Sequence, residues 1–384
     1  MATLEYDALL KTYTDFSHPI IVLKVNGVDI SENKNNLIIN DIEVDVTSGY
    51  EASMATFCIY NCFNLIESRF TVSDIKKYLL IGSSLEISMG YNTVVKNVFT
   101  GVITKVNFIY AQDEIPHIQV TAMDVKGIMM SNHYARQIKA TSYSEAVKEV
   151  LGKTAYQALT ENQIIKKLEI TDTPDKLQQS RDGGGESDIT IEMVNESDYE
   201  FVVKAAKKYN YEFFTDCGTV YFRKAKSVTD ILMELSAGNI LLDFDIEYDV
   251  TGLVSKIEAR AMDVGKASAI SASKKFSNKV SLGGKAKKLI KNSEKIYIDP
   301  TISSREEADY RVQSLMEEMS YHFGTLSCTT VGMPDLAPGC FVDIKDLGSP
   351  VDNTFYIVNV RHVYDKESGY MTYLKGKAAS IKEM

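Results

Sequence analysis

A metal site, a nucleophile or an acid–base pair in this sequence would have to come from five histidines, five cysteines and one tight group of acids. His18, His117, His133, His322 and His362 form neither an HxH nor an HExxH pattern, and no cysteine stands at zinc-ligand spacing from them. They read as structural histidines. Cys58, Cys62, Cys217, Cys328 and Cys340 are odd in number and scattered, and no CxxC occurs. That fits reduced thiols used as small core residues, as in a chain folded in a cytoplasm. Glu196, Asp198 and Glu200 could offer the paired carboxylates of a glycosidase. With Ser197 among them they read instead as the first turn of a helix, where acids complement the dipole. Gly284-Lys285 fails as a phosphate loop because Lys279 and Ala286 stand where glycine and Ser/Thr are needed. Gly265-Lys266 fails at Arg260, and GGGES from Gly183 lacks the glycine of a nucleophile elbow. No catalytic, cofactor-binding or metal-binding residue is assigned, no cofactor is expected, and the chain reads as a non-enzyme.

The elements that would carry any site are mostly strands. HPIIVLKVNGVDI from His18 alternates and turns at Asn26-Gly27, and SMATFCIYNC, SLEISMGY, VFTGVITKVNFIY and IPHIQVTAMDV continue in that style. From Ser142 the pattern changes. SYSEAVKEVLG opens on a capping box, Ser142 with Glu145, and ends at Gly152; ESDYEFVVKAAKKYN opens on Ser197 with Glu200. Between them DTPDKLQQSRDGGGESD from Asp172 reads as a loop, and YEFFTDCGTVYFRK reads as a hairpin turning at Asp216 to Gly218. The last third alternates again. It is interrupted by a lysine- and serine-rich stretch, 266–296, expected to be a loop or arm, and by a helix over 304–323 opened by Ser304 and Glu307.

One pattern occurs twice. TGVITKVNF at Thr100–Phe108 and TGLVSKIEA at Thr251–Ala259 are each followed by AMDV, at Ala122–Val125 and Ala261–Val264. Matching order in matching strand patterns points to an internal duplication. The expected architecture is mainly β with α+β insertions: a first tube-like β-barrel domain over 1–131, an α/β middle domain over 132–228, and a second tube-like β-barrel domain over 229–384.

Composition narrows the classes further. A net charge of −10 argues against stable nucleic-acid binding. No run of 18 apolar residues offers a membrane span, and the acids in MATLEYDALLKTYTDFSHP argue against a secretory leader.

VGMPDLAPGCFVDIKDLGSPVDNTFYIVNVRHVYDKESGYMTYLKGK from Val331 resembles the end of the hub domain in phage late control D proteins. These are baseplate hubs of contractile tails, related to the base of type VI secretion spikes. Pro334, the turn from Leu336 to Gly339, Val342, Ile344, Tyr356-Ile357-Val358, Val360, His362 and Gly369-Tyr370 carry the likeness. ESDYEFVVKAAKKYNYEFF is similar to that family's middle domain, and SREEADYRVQSLMEEM to the helix before its last barrel. The resemblance covers residue 18 onward. It implies a homotrimer whose six barrels imitate a six-fold ring, joining a tail tube to a three-fold central spike around an open channel. Other baseplate proteins and the tape measure are the further partners implied. The chain would be made in the bacterial cytoplasm and assembled into the baseplate of a virion or phage-tail-like particle. Since it stops at Met384, the spike tip is expected on a separate protein. Two other classes compete. A tail-associated cell-wall hydrolase would need a carboxylate pair or metal triad, and a sugar-binding β-sandwich adhesin would use aromatic platforms, for which 22 tyrosines and no tryptophan are available.

Overall fold

The computed structural model describes residues 3–31, 38–71, 79–174, 190–263, 267–278, 280 and 285–382. Its dominant feature is a 13-stranded sheet. The first half of the chain supplies β1 (Pro19–Val25), β2 (Ile38–Thr47), β3 (Met54–Tyr60), β4 (Ser84–Tyr91), β5 (Val94–Ile109) and β6 (His117–Met123). The second supplies β7 (Ile231–Leu235), β8 (Leu241–Tyr248), β9 (Gly324–Val331), β10 (Phe341–Ile344), β11 (Asn353–Asp365) and β12 (Gly369–Ala378). The two-residue strand Val28–Asp29 completes the sheet. Period-two alternation buries one row of most of these strands, such as Val44 and Val46, Val120 and Ala122, Val360 and Leu374, in a core shared by both halves.

The two halves have the same strand order. The first runs β1-β4-β5-β6-β3-β2 and the second β7-β10-β11-β12-β9-β8. Only the first pairing differs in sense: β1 is antiparallel to β4, β7 parallel to β10. The registers match too. β5 against β6 skips one residue between Ile103 and Lys105, and β11 against β12 skips one between Ile357 and Asn359. Gly82, at φ +93, donates its N–H to Ile103 O at 2.8 Å, and Gly339, at φ +87, donates to Ile357 O at 3.0 Å. Each glycine takes the left-handed conformation that side chains resist, and so turns the chain into the strand that follows. Ile103 therefore corresponds to Ile357, Lys105 to Asn359, and Ala122 to Gly376.

The duplication is thus present, but the second TG…AMDV segment is not its mark. Thr100–Phe108 lies in β5 and Ala122-Met123 in β6, whereas Lys256–Asp263 is one strand of a separate three-stranded sheet. Thr251-Gly252 forms the turn before that strand, with Gly252 at φ +86. Any amphipathic strand after a Thr-Gly bend satisfies so short a pattern. The true partner of Thr100–Phe108 is Thr354–His362.

Part of the stretch expected as a loop over 266–296 is instead strand. Ser268–Lys275 pairs with Lys256–Asp263 over eight residues, and Glu294–Ile298 pairs in parallel on its other side. Its alternation is written in Ala and Ser rather than large apolar residues, so it escapes a pattern search. Ala272 is buried beside Ala259 and Ala261, while the lysines stay on the open edge. The helix Arg305–Ser320 lies on this sheet through Ala308, Val312, Leu315 and Met316. Residues 264–266, 279 and 281–284 fall outside the described residues, as do 175–189 of the loop expected from Asp172.

Between the halves, the helices Tyr143–Leu151, Thr154–Glu161 and Asp198–Tyr209 and the strands Tyr134–Lys139, Lys167–Ile170, Thr190–Glu196, Tyr211–Asp216 and Thr219–Lys224 enclose a second core, from Val125 to Phe222. Asp198–Tyr209 starts on a complete capping box: Glu200 N donates to Ser197 Oγ at 3.1 Å, and Ser197 N donates to Glu200 Oε2 at 2.7 Å. At Ser142 and Ser304 the hydroxyl caps as expected. There the glutamate reaches one residue further back, to Thr141 N and Ser303 N.

Candidate functional site

The joint between the halves is the feature with the most consequence. β11 runs past the end of β10, and its outer part, Asn359 to Tyr364, pairs antiparallel with Thr47 to Ile42 of β2. On the core side Val360 and His362 sit opposite Val46 and Val44, all buried. On the other side Arg361 Nη1 meets Glu43 Oε1 at 3.4 Å, and Asn359 Nδ2 donates to Asp45 Oδ1.

Beneath the joint a chain of buried polar groups links the halves. Tyr370 OH and Thr372 Oγ1 stand 3.0 and 3.1 Å from His362 Nδ1. Tyr91 OH donates to Gly332 O at 2.9 Å, and Tyr13 OH donates to Asp335, which Lys96 also contacts. Burial drives the His362 pKa down to about 4, with a hydrogen bond to the Leu336 backbone opposing it, so the imidazole is neutral at pH 7. Burial raises the pKa values of Tyr13, Tyr91 and Tyr370, which stay protonated and donate. A depression of about 310 Å³ reaches His362, Asp335, Lys96 and Cys217. Most of its groups are already held within the fold, His362 by Tyr370 and Thr372, Asp335 by Tyr13 and Lys96, and Cys217 by Asn97 O, while Asn97 Nδ2 is buried without a partner among the described residues; these contacts fasten the joint.

The sheet face opposite the core is polar. Cross-strand pairs place Glu43, Asp45, Lys105, Asn107, Arg361 and Lys375 on it, together with Asp243, Asp245 and Glu247 of β8. A depression of about 420 Å³ on this face is lined by Asp45, Asp245, Arg361 and Lys375.

Two further polar knots fasten the middle unit. Asp124, from the first AMDV, accepts from Lys126 N at 2.9 Å, from Ser53 N at 3.0 Å and from the Thr215 hydroxyl. Lys126 is fully buried beside it, its Nζ 3.8 Å from Asp124 Oδ2 and 3.1 Å from Gly49 O, and burial lowers its pKa. Glu212 accepts from Arg223 Nε at 2.7 Å and from Tyr356 OH, and burial raises its pKa. A cleft of about 920 Å³ opens here, lined by Tyr50, Glu212, Lys226, Arg311, Tyr321 and Tyr356. Sequence reasoning assigned none of these residues, because each knot is completed by a partner scores of residues away, Ser53 and Thr215 for Asp124 and Tyr356 for Glu212.

The acids singled out in the sequence are caps and anchors. Glu200 completes its box, Glu196 meets Lys204, and buried Asp198 accepts from Tyr156 OH at 2.7 Å and contacts Lys153. All five cysteines are free thiols. Among the described residues no three His, Cys, Asp or Glu side chains are grouped to hold a metal ion, and no helix is long and apolar enough to cross a membrane. The run from Gly183 and the Gly284-Lys285 pair lie wholly or partly outside the described residues.

A family model described as the Alg8 N-terminal domain matches residues 20–366. No curated protein matches the sequence. Among solved structures the chain is similar to the 43 kDa tail protein of prophage MuSo2 from Shewanella oneidensis, at 15% identity and TM-score 0.68, covering 95% of this chain and 100% of that one. It is similar to a tail protein from Neisseria meningitidis MC58, at 16% identity and TM-score 0.66, covering 94% and 97%. It is also similar to the c3393 protein of E. coli, at 10% identity and TM-score 0.55, covering 94% and 79%. That protein is described as a component of the type VI secretion system with structural similarity to the T4 tail proteins gp27 and gp5. At these identities the likeness establishes the fold, which is that of tail proteins.

Proposed function

This chain belongs to the family described as the Alg8 N-terminal domain, and from that premise and its tail-protein fold we propose that it is a non-enzymatic baseplate hub of a contractile tail, of the late control D kind. Three chains form a ring of six like halves around a channel, with the six-fold tail tube on one side and a three-fold spike on the other. The units 1–131 and 229–384 supply the ring, and 132–228 braces them from outside. Assembly is into the baseplate of a phage or phage-like particle.

The observation that carries this reading is the repeated strand order joined edge to edge within one chain. A homo-oligomer closes when one contact is repeated around an axis. A chain that already contains two like halves reaches six-fold spacing with three copies. The polar sheet face supports the channel: among the charges placed on it above acids outnumber bases, and bases such as Arg361 stand beside acids such as Glu43, so it offers no positive excess to grip a polyanion.

The test is mass by light scattering with negative-stain electron microscopy, on the protein alone and co-expressed with its spike partner. A three-chain ring with an open centre and six wall lobes is expected. A chain that stays single in both preparations refutes the hub.

A further inference from the structure

The joint inside the chain has two ends that match no partner. In the second half, the outer part of β11 is covered by β2. In the first half the corresponding outer part of β5, Lys105 to Ile109, runs past the end of β4 at Ser84 and, among the described residues, has no strand on that side. β2 corresponds in turn to β8, with Val44 on Ile246 and Asp45 on Glu247, through the pairings of Ala55 and Leu326 with Ala122 and Gly376. β8 is the outermost strand of the sheet. One chain therefore carries both sides of the joint it has already made once, unused.

Burial tells the same story. His362 is 2% exposed, while its counterpart Phe108 is 52% exposed; Ile42 is 2% exposed, while its counterpart Phe244 is 39% exposed. Tyr110, the counterpart of half-buried Tyr364, is 68% exposed. Phe70 and Phe63 pack on Phe108 and Tyr110, at ring distances of 5.3 and 5.2 Å, and widen the apolar seat. The polar side is complementary: where Asn359 bonds Asp45 inside the chain, the open edges present Lys105 and Glu247, and neither is in a salt bridge among the described residues. Unpaired strand edges carrying large apolar groups are templates for a further strand.

We propose that a second copy of this chain lays its β8 antiparallel on the outer half of β5, with Asn107 opposite Glu247, Phe108 opposite Ile246 and Tyr110 opposite Phe244, repeating between chains the joint within each. The contact is head-to-tail, since β5 and β8 are different edges, and so it builds a ring or an open filament rather than a two-fold dimer. Closure at three copies rests on the hub reading; the edge pairing and its register do not. Lys105 of one chain then meets Glu247 of the next, Phe244 and Ile246 are covered by the aromatic seat, and the polar sheet face runs unbroken from one chain to its neighbour.

The test uses full-length N107C and E247C variants, singly, mixed and combined, under mild oxidation beside the wild type. The combined variant should give a reducible ladder ending at three chains. The mixture of single variants should stop at two, and each single variant alone should behave like the wild type. As a second readout, K105E should weaken self-association about tenfold, and K105E/E247K should restore it. An oligomer of wild-type mass with no ladder from the combined variant overturns the edge pairing and leaves the hub reading standing. A single chain with no ladder, even with the spike partner present, overturns both. Self-linking of either single variant also overturns the proposal, because it would mean a two-fold contact.

Discussion

Lowering the pH from 7 to 4 should put a proton on a ring that has no room for charge. His362 is 2% exposed and lies opposite Val44 in the joint between the halves, with its pKa held at about 4 against an ordinary value of 6.5. Between those values the unfolded chain binds a proton that the native chain refuses. Stability is therefore whole above 6.5 and falls as the pH drops towards 4. At 1.36 kcal/mol per unit, the loss from this one residue is about 3 kcal/mol, complete below pH 4. Carboxylates titrate in the same range, so the quantity to measure is the difference between wild type and H362Q. Gln at 362 can still accept from Tyr370 but takes no proton. Urea unfolding at pH 7 and pH 4.5 should show H362Q losing about 2 kcal/mol less than the wild type over that interval. An NMR titration of isotope-labelled histidine should find one ring silent from pH 7 to below 5. Equal losses in the two proteins, or a His362 signal moving near pH 6.5, would refute the reasoning.

Three other perturbations follow from named contacts. S197A removes the hydroxyl that caps Asp198–Tyr209 and should cost about 1 kcal/mol in chemical denaturation. At Gly332 an added Cβ would stand 2.1 Å from the Tyr370 ring, so G332A should cost about 1–3 kcal/mol and lower Tm. In R223M, Glu212 keeps only the hydrogen bond from Tyr356 and the more distant Lys226 charge, Gly339 O loses its donor, and the variant should lose about 3–5 kcal/mol, whereas R223M/E212L should recover much of it; equal losses in the two would show that the Glu212 charge is not the cause.

The parts of this molecule that local chemistry dictates were legible in its sequence. The three serine caps, the buried row Ala146, Val147, Val150 and Leu151, the hairpin turning at Cys217-Gly218 and the mainly β architecture all rest on residues within a few positions of one another. The duplication was legible too, but at a different place. Thr100, Ile103, Val106 and Tyr110 recur with the same spacing as Thr354, Ile357, Val360 and Tyr364, and Gly82 recurs as Gly339. Identity at four core and edge positions is a weaker signal to the eye than a shared tetrapeptide, though it is the one with a physical cause. The joint, the Asp124 knot and the Glu212–Arg223–Tyr356 bridge were not legible. Each is completed by a residue far away in the chain, and nothing in a local pattern says which buried acid meets which distant donor.

The two halves differ in where they are interrupted. The first carries residues 61–83 between β3 and β4, while the second carries 249–323, with its own sheet and helix, between β8 and β9. A ring of identical small subunits must repeat every change at every position. A chain that writes its two halves separately can alter one and spare the other. In the ring proposed above, decoration, and any docking it brings, falls on alternate positions around the axis, and selection can act on the frame and its ornaments independently.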